Sequence, residues 1–372
     1  MLRIGDRREF VLGLYQLPNR PDPWKEARQA GFGLVHAEGS RAELDTAAAH
    51  GLRAWVTIGS VNPRRRASDE ARIRKIVGEL KDHPALLFWE TEDEPTYLYQ
   101  KPGARVPVDH ILAAHRFARA LDPAHPFYLN HAPTNLVETL RQYNEASDIV
   151  ATDIYPVMPR GLRQQYGLWP DGRHGDLPDD SVSQVGRYAD KMRAVAGPSR
   201  AVFMVLQAFA WEMLRKPGDR HANMVLYPTR EELRFMSWQA IAHGVNGLLF
   251  WGLKNTPPGA PLWEDLQAVG GELRALGDEL AAPRRALELR LDYQDTGHSL
   301  DRGIEWIAKP SGKDVLLVAV NADRNPVEVT FTAARPPRGV TLLPESRPAR
   351  VERGAWRATF PGFGVRLYKL RW

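Results

Sequence analysis

The sequence predicts a (β/α)8 TIM barrel followed by a small C-terminal antiparallel β-sandwich. Three observations carry that expectation. Short apolar runs alternate with amphipathic segments eight times between Phe10 and Leu280, which implies parallel βαβ units. Gly31, Gly51 and Gly244 fall just past the expected helix ends, and Pro23 and Pro107 fall near expected helix starts, where each residue type is tolerated best. From Pro283 the helical spacing stops, and short runs divided by Gly and Pro take over. No glycine-rich phosphate fingerprint follows the first run, which disfavours a doubly wound sheet.

The elements follow in order. The first apolar run, 10–16, leads to a helix over 22–30. The second, 32–38, leads to 41–50, and the third, 52–59, to 67–81. The fourth, 85–90, precedes a helix over 108–121, and the fifth, 127–131, precedes 136–143. The sixth, 148–155, is paired with 181–196. The seventh, 201–209, is paired with 230–243, where Thr229 and Glu232 have capping-box spacing. The eighth, 246–251, precedes 262–280. In the tail, the runs 303–308, 314–321, 327–332, 339–343, 355–360 and 364–370 read as strands. The expected division is a barrel over 1–282 and a sandwich over 283–372.

Composition excludes several classes. The chain has 372 residues, 43% hydrophobic and 26% charged, which is globular rather than disordered usage. No apolar run approaches the ~20 residues of a membrane span, so no membrane partner is expected. The N-terminus lacks a signal-peptide core; the chain as it stands is expected in the cytoplasm, or secreted or periplasmic had a leader been removed. There is no cysteine, which removes disulfides, thiol nucleophiles and Cys-ligated metals. No His or carboxylate spacing argues for a metal, and no cofactor is expected. The net charge is +5, with 40 arginines against 10 lysines. The arginines are spread along the sequence, which argues against a nucleic-acid partner. Oligomeric state is not legible.

Three βα connections are long, 91–107, 156–180 and 210–229. Strand C-terminal ends and the loops after them build the active site of such a barrel. Those ends carry Tyr15, His36, Glu38, Trp55, Thr57, Trp89, Glu90, Asn130, His131, Asp153, Tyr155, Gln207, Trp211, Glu212 and Trp251. Carboxylates, amides and aromatic faces with few lysines suit a carbohydrate, whose hydroxyls hydrogen-bond and whose C–H faces stack. The densest signal is Trp89-Glu90-Thr91-Glu92-Asp93-Glu94-Pro95. Four acids in five residues repel one another, and burial would raise at least one pKa into the range of a general acid.

The segment Phe88–Pro95 resembles the strand-four motif of the large retaining (β/α)8 glycoside hydrolase clan, which ends on Asn-Glu-Pro. The resemblance implies that Glu94 is the acid/base, with Asp93 in place of the Asn. It also implies a strand-six Tyr, matched by Tyr155, and a strand-eight Trp, matched by Trp251. It covers Phe10 to about Leu280, and the tail resembles the small sandwich that many such enzymes carry. The clan's strand-seven nucleophile is a Glu, and this chain has Gln207 there. A neutral amide cannot form the glycosyl ester as a carboxylate does.

The second carboxylate is then Glu212 or Asp153, with Glu38, Glu90 and Glu92 as weaker candidates. A substrate-assisted course resembling that of hexosaminidases would use Asp93 and Glu94 alone. A non-catalytic carbohydrate-binding barrel is the rival class. Asn130, His131, Tyr155, Gln207 and Glu38 are expected to bind hydroxyls. Trp55, Trp89, Trp211 and Trp251 are expected to wall the sugar subsites, and Trp24, Trp238, Trp263, Trp306, Trp356 and Trp372 to pack.

Overall fold

The computed structural model describes residues 3–4, 7–97, 104–159, 181–294, 300 and 302–372. The middles of the long loops after strands four and six, and Trp169, lie outside the described residues. Eight strands close into a parallel barrel: β1 (Val11–Leu14), β2 (Leu34–Ala37), β3 (Arg53–Thr57), β4 (Leu86–Glu90), β5 (Phe127–His131), β6 (Ile149–Ile154), β7 (Ala201–Gln207) and β8 (Gly247–Trp251). β8 pairs with β1 and closes the ring.

Strand alternation divides the apolar residues into two layers. Trp55, Phe88, Tyr128, Phe203 and Leu249 fill the barrel interior. Val56, Trp89, Met204 and Leu248 point outward, beneath the helices. Those helices are α1 (Pro23–Gln29), α2 (Arg41–Ala49), α3 (Arg66–Leu80), α4 (Val108–Leu121), α5 (Val137–Arg141), α6 (Gln184–Ala196), α7 (Arg230–Ala242), α8 (Leu262–Ala275) and α9 (Gly277–Ala281). Thr229 and Glu232 form the expected capping box at α7. The helix expected over 262–280 is interrupted at Leu276, between α8 and α9.

The tail forms two antiparallel sheets. β9 (Leu289–Tyr293), β12 (Val327–Ala333) and β15 (Ala355–Phe360) make one, in the order β9-β12-β15. β10 (Ile304–Ser311), β11 (Asp314–Asn321), β13 (Gly339–Leu343), β14 (Arg347–Ala349) and β16 (Val365–Arg371) make the other, in the order β10-β11-β16-β13-β14. β9 and β14 were not legible in the sequence: β9 is only half-buried, and β14 is a three-residue edge strand containing a proline.

Within the five-stranded sheet β11 is buried on both faces, which is why it reads as an unbroken apolar run. Val315, Leu317 and Ala319 face the other sheet, while Leu316, Val318 and Val320 join the barrel's outer layer. Polar pins cross the same seam. Lys309 Nζ donates to the carbonyls of Ala282 at 2.8 Å and Leu280 at 3.2 Å. His243 sits between Asp190 at 3.0 Å and Glu305 at 2.9 Å.

Candidate active site

β4 delivers the acidic segment. Phe88 and Glu90 share the inward parity, so Glu90 ends the strand inside the barrel mouth. Its Oε2 accepts from Thr57 Oγ1 at 2.8 Å and from Trp55 Nε1 at 3.1 Å. Its Oε1 is buried without a partner among the described residues. Burial and the neighbouring Asp93 charge push its carboxyl up to about 8. Thr57 uses its one hydrogen on Glu90, so it accepts from His36 Nε2 at 3.0 Å.

Beyond the strand, Glu92 turns away from the mouth and accepts from the N–H and hydroxyl of Ser60, at 3.2 and 2.8 Å. Arg105 reaches back to the carbonyls of Asp93 and Glu94. Glu94 has a φ of +43°, which costs a residue with a Cβ roughly 1 kcal/mol. The conformation is held from both sides. The Glu94 N–H donates to Asn130 O at 3.1 Å, and Tyr97 N donates to Glu94 O at 3.0 Å.

Three carboxyl groups meet there. Asn130, on β5, donates through the same Nδ2 to Asp93 Oδ1 at 3.0 Å and to Asp153 Oδ1 at 3.3 Å. Asp153, at the end of β6, is hydrogen-bonded to the Glu94 carboxyl. Burial, and then the charges of Asp153 and Asp93, raise Glu94 well above the usual carboxylate range. Burial and Asp93 push Asp153 up to about 7, while the bond from Glu94 works the other way. Glu94 therefore holds the proton and Asp153 accepts from it. Asp93 is also raised, chiefly by burial, against the bonds from Asn130 and Tyr15.

An aromatic wall adjoins this cluster. Tyr155 stacks on Trp251 at 5.5 Å, and Trp211 lies edge-on to Tyr155 at 6.1 Å. Phe209 packs edge-on to both Tyr155 and Trp251. Trp211 Nε1 donates to Tyr155 O at 3.1 Å. Beneath the wall, the hydroxyls of Tyr15 and Tyr128 are 2.7 Å apart. Gly252 has a φ of +106°, and a Cβ there would meet Phe209 at 2.5 Å; its N–H donates to Gln16 Oε1 at 2.6 Å.

The expected site residues therefore divide. Glu94, Asp93, Asp153, Asn130, Tyr155, Trp211 and Trp251 come together. Several others do not join them.

Trp89 has the outward parity, is 0% exposed and donates to Asp122 Oδ2 at 2.8 Å; it packs under a helix rather than walling a subsite. His131 is outward for the same reason, buried against Tyr143, and burial pulls its pKa down to about 3. Trp55 is inward but fully buried, so it holds Glu90 rather than offering a face.

Gln207 stands at the end of β7, but its amide is committed to backbone. Oε1 accepts from Val157 N at 2.8 Å, while Nε2 donates to Val157 O at 2.7 Å and Phe209 O at 2.9 Å. It pairs with the Val157 peptide as another strand would. That is a positioning role for the segment after Tyr155, not a contact to a hydroxyl. Glu212 is buried in its own loop, accepting from His221 N at 2.6 Å with Arg215 at 3.7 Å. Glu38 is exposed beyond β2, outside the buried acid cluster.

Tyr128 and Arg105 were missed in the sequence. Parity could have found Tyr128, two residues before Asn130 on the same face. No local signal marks Arg105.

No family model matches the chain, and no curated protein matches it. Solved structures do. A catalytic mutant of a GH42 β-galactosidase from G. stearothermophilus is similar with a TM-score of 0.62 at 9% identity, covering 98% of each chain. A GH51 arabinofuranosidase from Xanthomonas axonopodis pv. citri has a TM-score of 0.57 at 10% identity, over 96% of this chain and 92% of its own. A GH30 endoxylanase from Clostridium papyrosolvens C71 has a TM-score of 0.52 at 10% identity, over 98% and 97%. At such identities the likeness establishes the fold, a barrel with a β-rich C-terminal region.

Proposed function

We propose that this protein hydrolyses a glycosidic bond at the barrel mouth, with Glu94 protonating the leaving oxygen and Asp153 completing the mechanism. The observation that carries the reading is the hydrogen-bonded pair itself, a buried protonated carboxyl against a second carboxyl. A general acid needs a pKa raised to working pH and a partner of contrasting charge. The stacked Tyr155 and Trp251 supply a platform for a sugar face. The fold neighbours named β-galactosidase, arabinofuranosidase and endoxylanase support a carbohydrate substrate.

The direct contact between Glu94 and Asp153 leaves no place for a water between them. Inverting pairs stand ~6.5–9.5 Å apart and retaining pairs ~5–5.5 Å. A pair in contact is closer than either spacing, so the two carboxyls part as the sugar enters, and retention asks for the smaller separation: Asp153 attacks the anomeric carbon as Glu94 protonates the departing oxygen, and Glu94 then deprotonates the water that releases the sugar.

A second reading keeps Asp93 as the orienting group of a substrate-assisted course, with the substrate's own acetamido oxygen attacking. The bonds that fix Asp93 beside Glu94, from Asn130 and Tyr15, favour it.

Turnover of a panel of aryl glycosides, including 2-acetamido sugars, tests both readings. The first expects cleavage of a sugar without an acetamido group and its loss in Asp153→Asn. Cleavage confined to 2-acetamido sugars replaces it with the second. Sugar binding with no turnover across the panel makes the barrel a binding protein and overturns both.

A further inference from the structure

The arginines that are dispersed in the sequence converge in space. A groove of about 1040 Å³ runs along the outer face of the β9-β12-β15 sheet and the segment around β14. Six arginines line it, Arg290, Arg347, Arg350, Arg353, Arg357 and Arg366, against a single acid, Glu352. Part of this charge is balanced locally. Arg290 pairs with Asp292 at 3.0 Å, Arg350 with Glu352 at 2.6 Å, and Arg357 with Glu328. Arg366 donates to Thr359 O at 3.3 Å. Arg347 and Arg353 are exposed, and no ion pair involves either among the described residues.

We propose that this groove binds an acidic polysaccharide, a uronate-bearing polymer laid across the arginines. Guanidinium forks match carboxylates two bonds at a time and keep their charge at every working pH. The intervening lining is small and hydroxylated, with Thr330, Thr332 and Thr359, as hydrogen bonding to sugar hydroxyls requires. The aromatic residues of the groove, Trp356 and Tyr368, are 1% and 3% exposed, so no ring is offered to a base. That absence of a stacking platform disfavours single-stranded nucleic acid. That the polyanion is a carbohydrate rests on the glycosidase reading of the barrel, whereas the charge of the groove does not.

The test is titration of the full chain with polygalacturonate, neutral dextran and duplex DNA, compared with Arg347→Gln/Arg353→Gln and with Glu94→Gln. The two arginines are exposed and form no ion pair among the described residues, so the double variant keeps the fold, which its melting curve checks. Expected is salt-sensitive binding of polygalacturonate, none of dextran at this groove, and a loss of affinity of about tenfold in the arginine variant. Binding is expected unchanged in Glu94→Gln. No binding of polygalacturonate, equal binding by the arginine variant, or tighter binding of DNA would overturn the proposal. Absence of turnover with the groove still binding overturns the barrel reading alone.

Discussion

Glu94 and Asp153 are hydrogen-bonded carboxyl to carboxyl, one from the loop after β4 and the other from the end of β6. The strand between them, β5, supplies Asn130, whose one amide group donates to both Asp93 and Asp153. A left-handed backbone at Glu94 aims its side chain into this cluster. The barrel thus brings three acids against one another, and among the described residues the cation acting on them is Arg105, which lowers Asp93 and Glu94 less than burial raises them. Like charges at that distance cannot all ionise, so the cluster retains a proton at neutral pH.

Asp93 raises both partners by its charge, and Asp93→Asn removes that charge while keeping an oxygen for Asn130. In the free enzyme, kcat/KM is expected to rise with pH as the pair loses its first proton, near 7 for Asp153, and to fall as Glu94 loses the second. Both limbs of the profile are expected to move to lower pH in Asp93→Asn. Limbs that stay in place would show that Asp93 exerts no field on the pair.

Gln207→Glu restores the carboxylate that the resembling clan has at this position, and it is expected to impair the protein. The two N–H donations to Val157 O and Phe209 O are lost, and a charge is set against carbonyl oxygens. Each unsatisfied buried group costs ~1–3 kcal/mol, so denaturant unfolding is expected to give a loss of about 3 kcal/mol with no gain in turnover. A stable, faster variant would mean that β7 does present its end to the substrate.

The two tryptophans Trp89 and Trp251 separate by parity. Trp89→Ala is expected to lose roughly 3–5 kcal/mol of stability while leaving KM near the parent value in whatever protein remains folded. Trp251→Ala removes the half-exposed partner of Tyr155 and is expected to raise KM with a smaller stability loss. Parallel unfolding and kinetic measurements on the two variants check the contrast.

Stability is expected to fall as the solution becomes alkaline, through two separate groups. Glu90 has an ordinary value of 4.5 and stands at about 8 in the fold. Between those limits the folded state binds more protons than the unfolded one, so stability declines as pH rises toward 8. His243 behaves with the same sign. Burial works to lower it, but its bonds to Asp190 and Glu305 prevail and raise it from 6.5 to about 9. Its contribution is full below 6.5 and lost as pH rises through 9. Glu90→Gln is expected to flatten the first part of the Tm–pH curve, and His243→Gln the second. An unchanged curve in either variant removes that group from the account.

Periodicity and the glycine and proline positions were enough to order all eight barrel strands and the turn to β structure near Pro283. Facing was harder. Trp89 and Glu90 are adjacent, and so are Asn130 and His131, yet one of each pair points into the mouth and the other beneath a helix. Listing strand ends without their parity admitted Trp89 and His131 to the site and omitted Tyr128. Gln207 was legible as a buried amide needing partners, but its partner, the Val157 peptide, is fifty residues away in the chain. The clustering of Arg347, Arg353 and Arg366 is likewise a product of sheet order, which spacing along the sequence does not reveal.

The assignment of Glu94 as proton donor is tested most directly by leaving-group dependence. Wild type and Glu94→Gln are compared on two aryl glycosides of one sugar, one with an activated and one with a poor leaving group. General acid catalysis contributes ~10²–10⁴-fold, so the variant is expected to lose about that factor on the poor leaving group and far less on the activated one. Equal losses on both substrates, or none on the poor leaving group, would contradict the role given to Glu94.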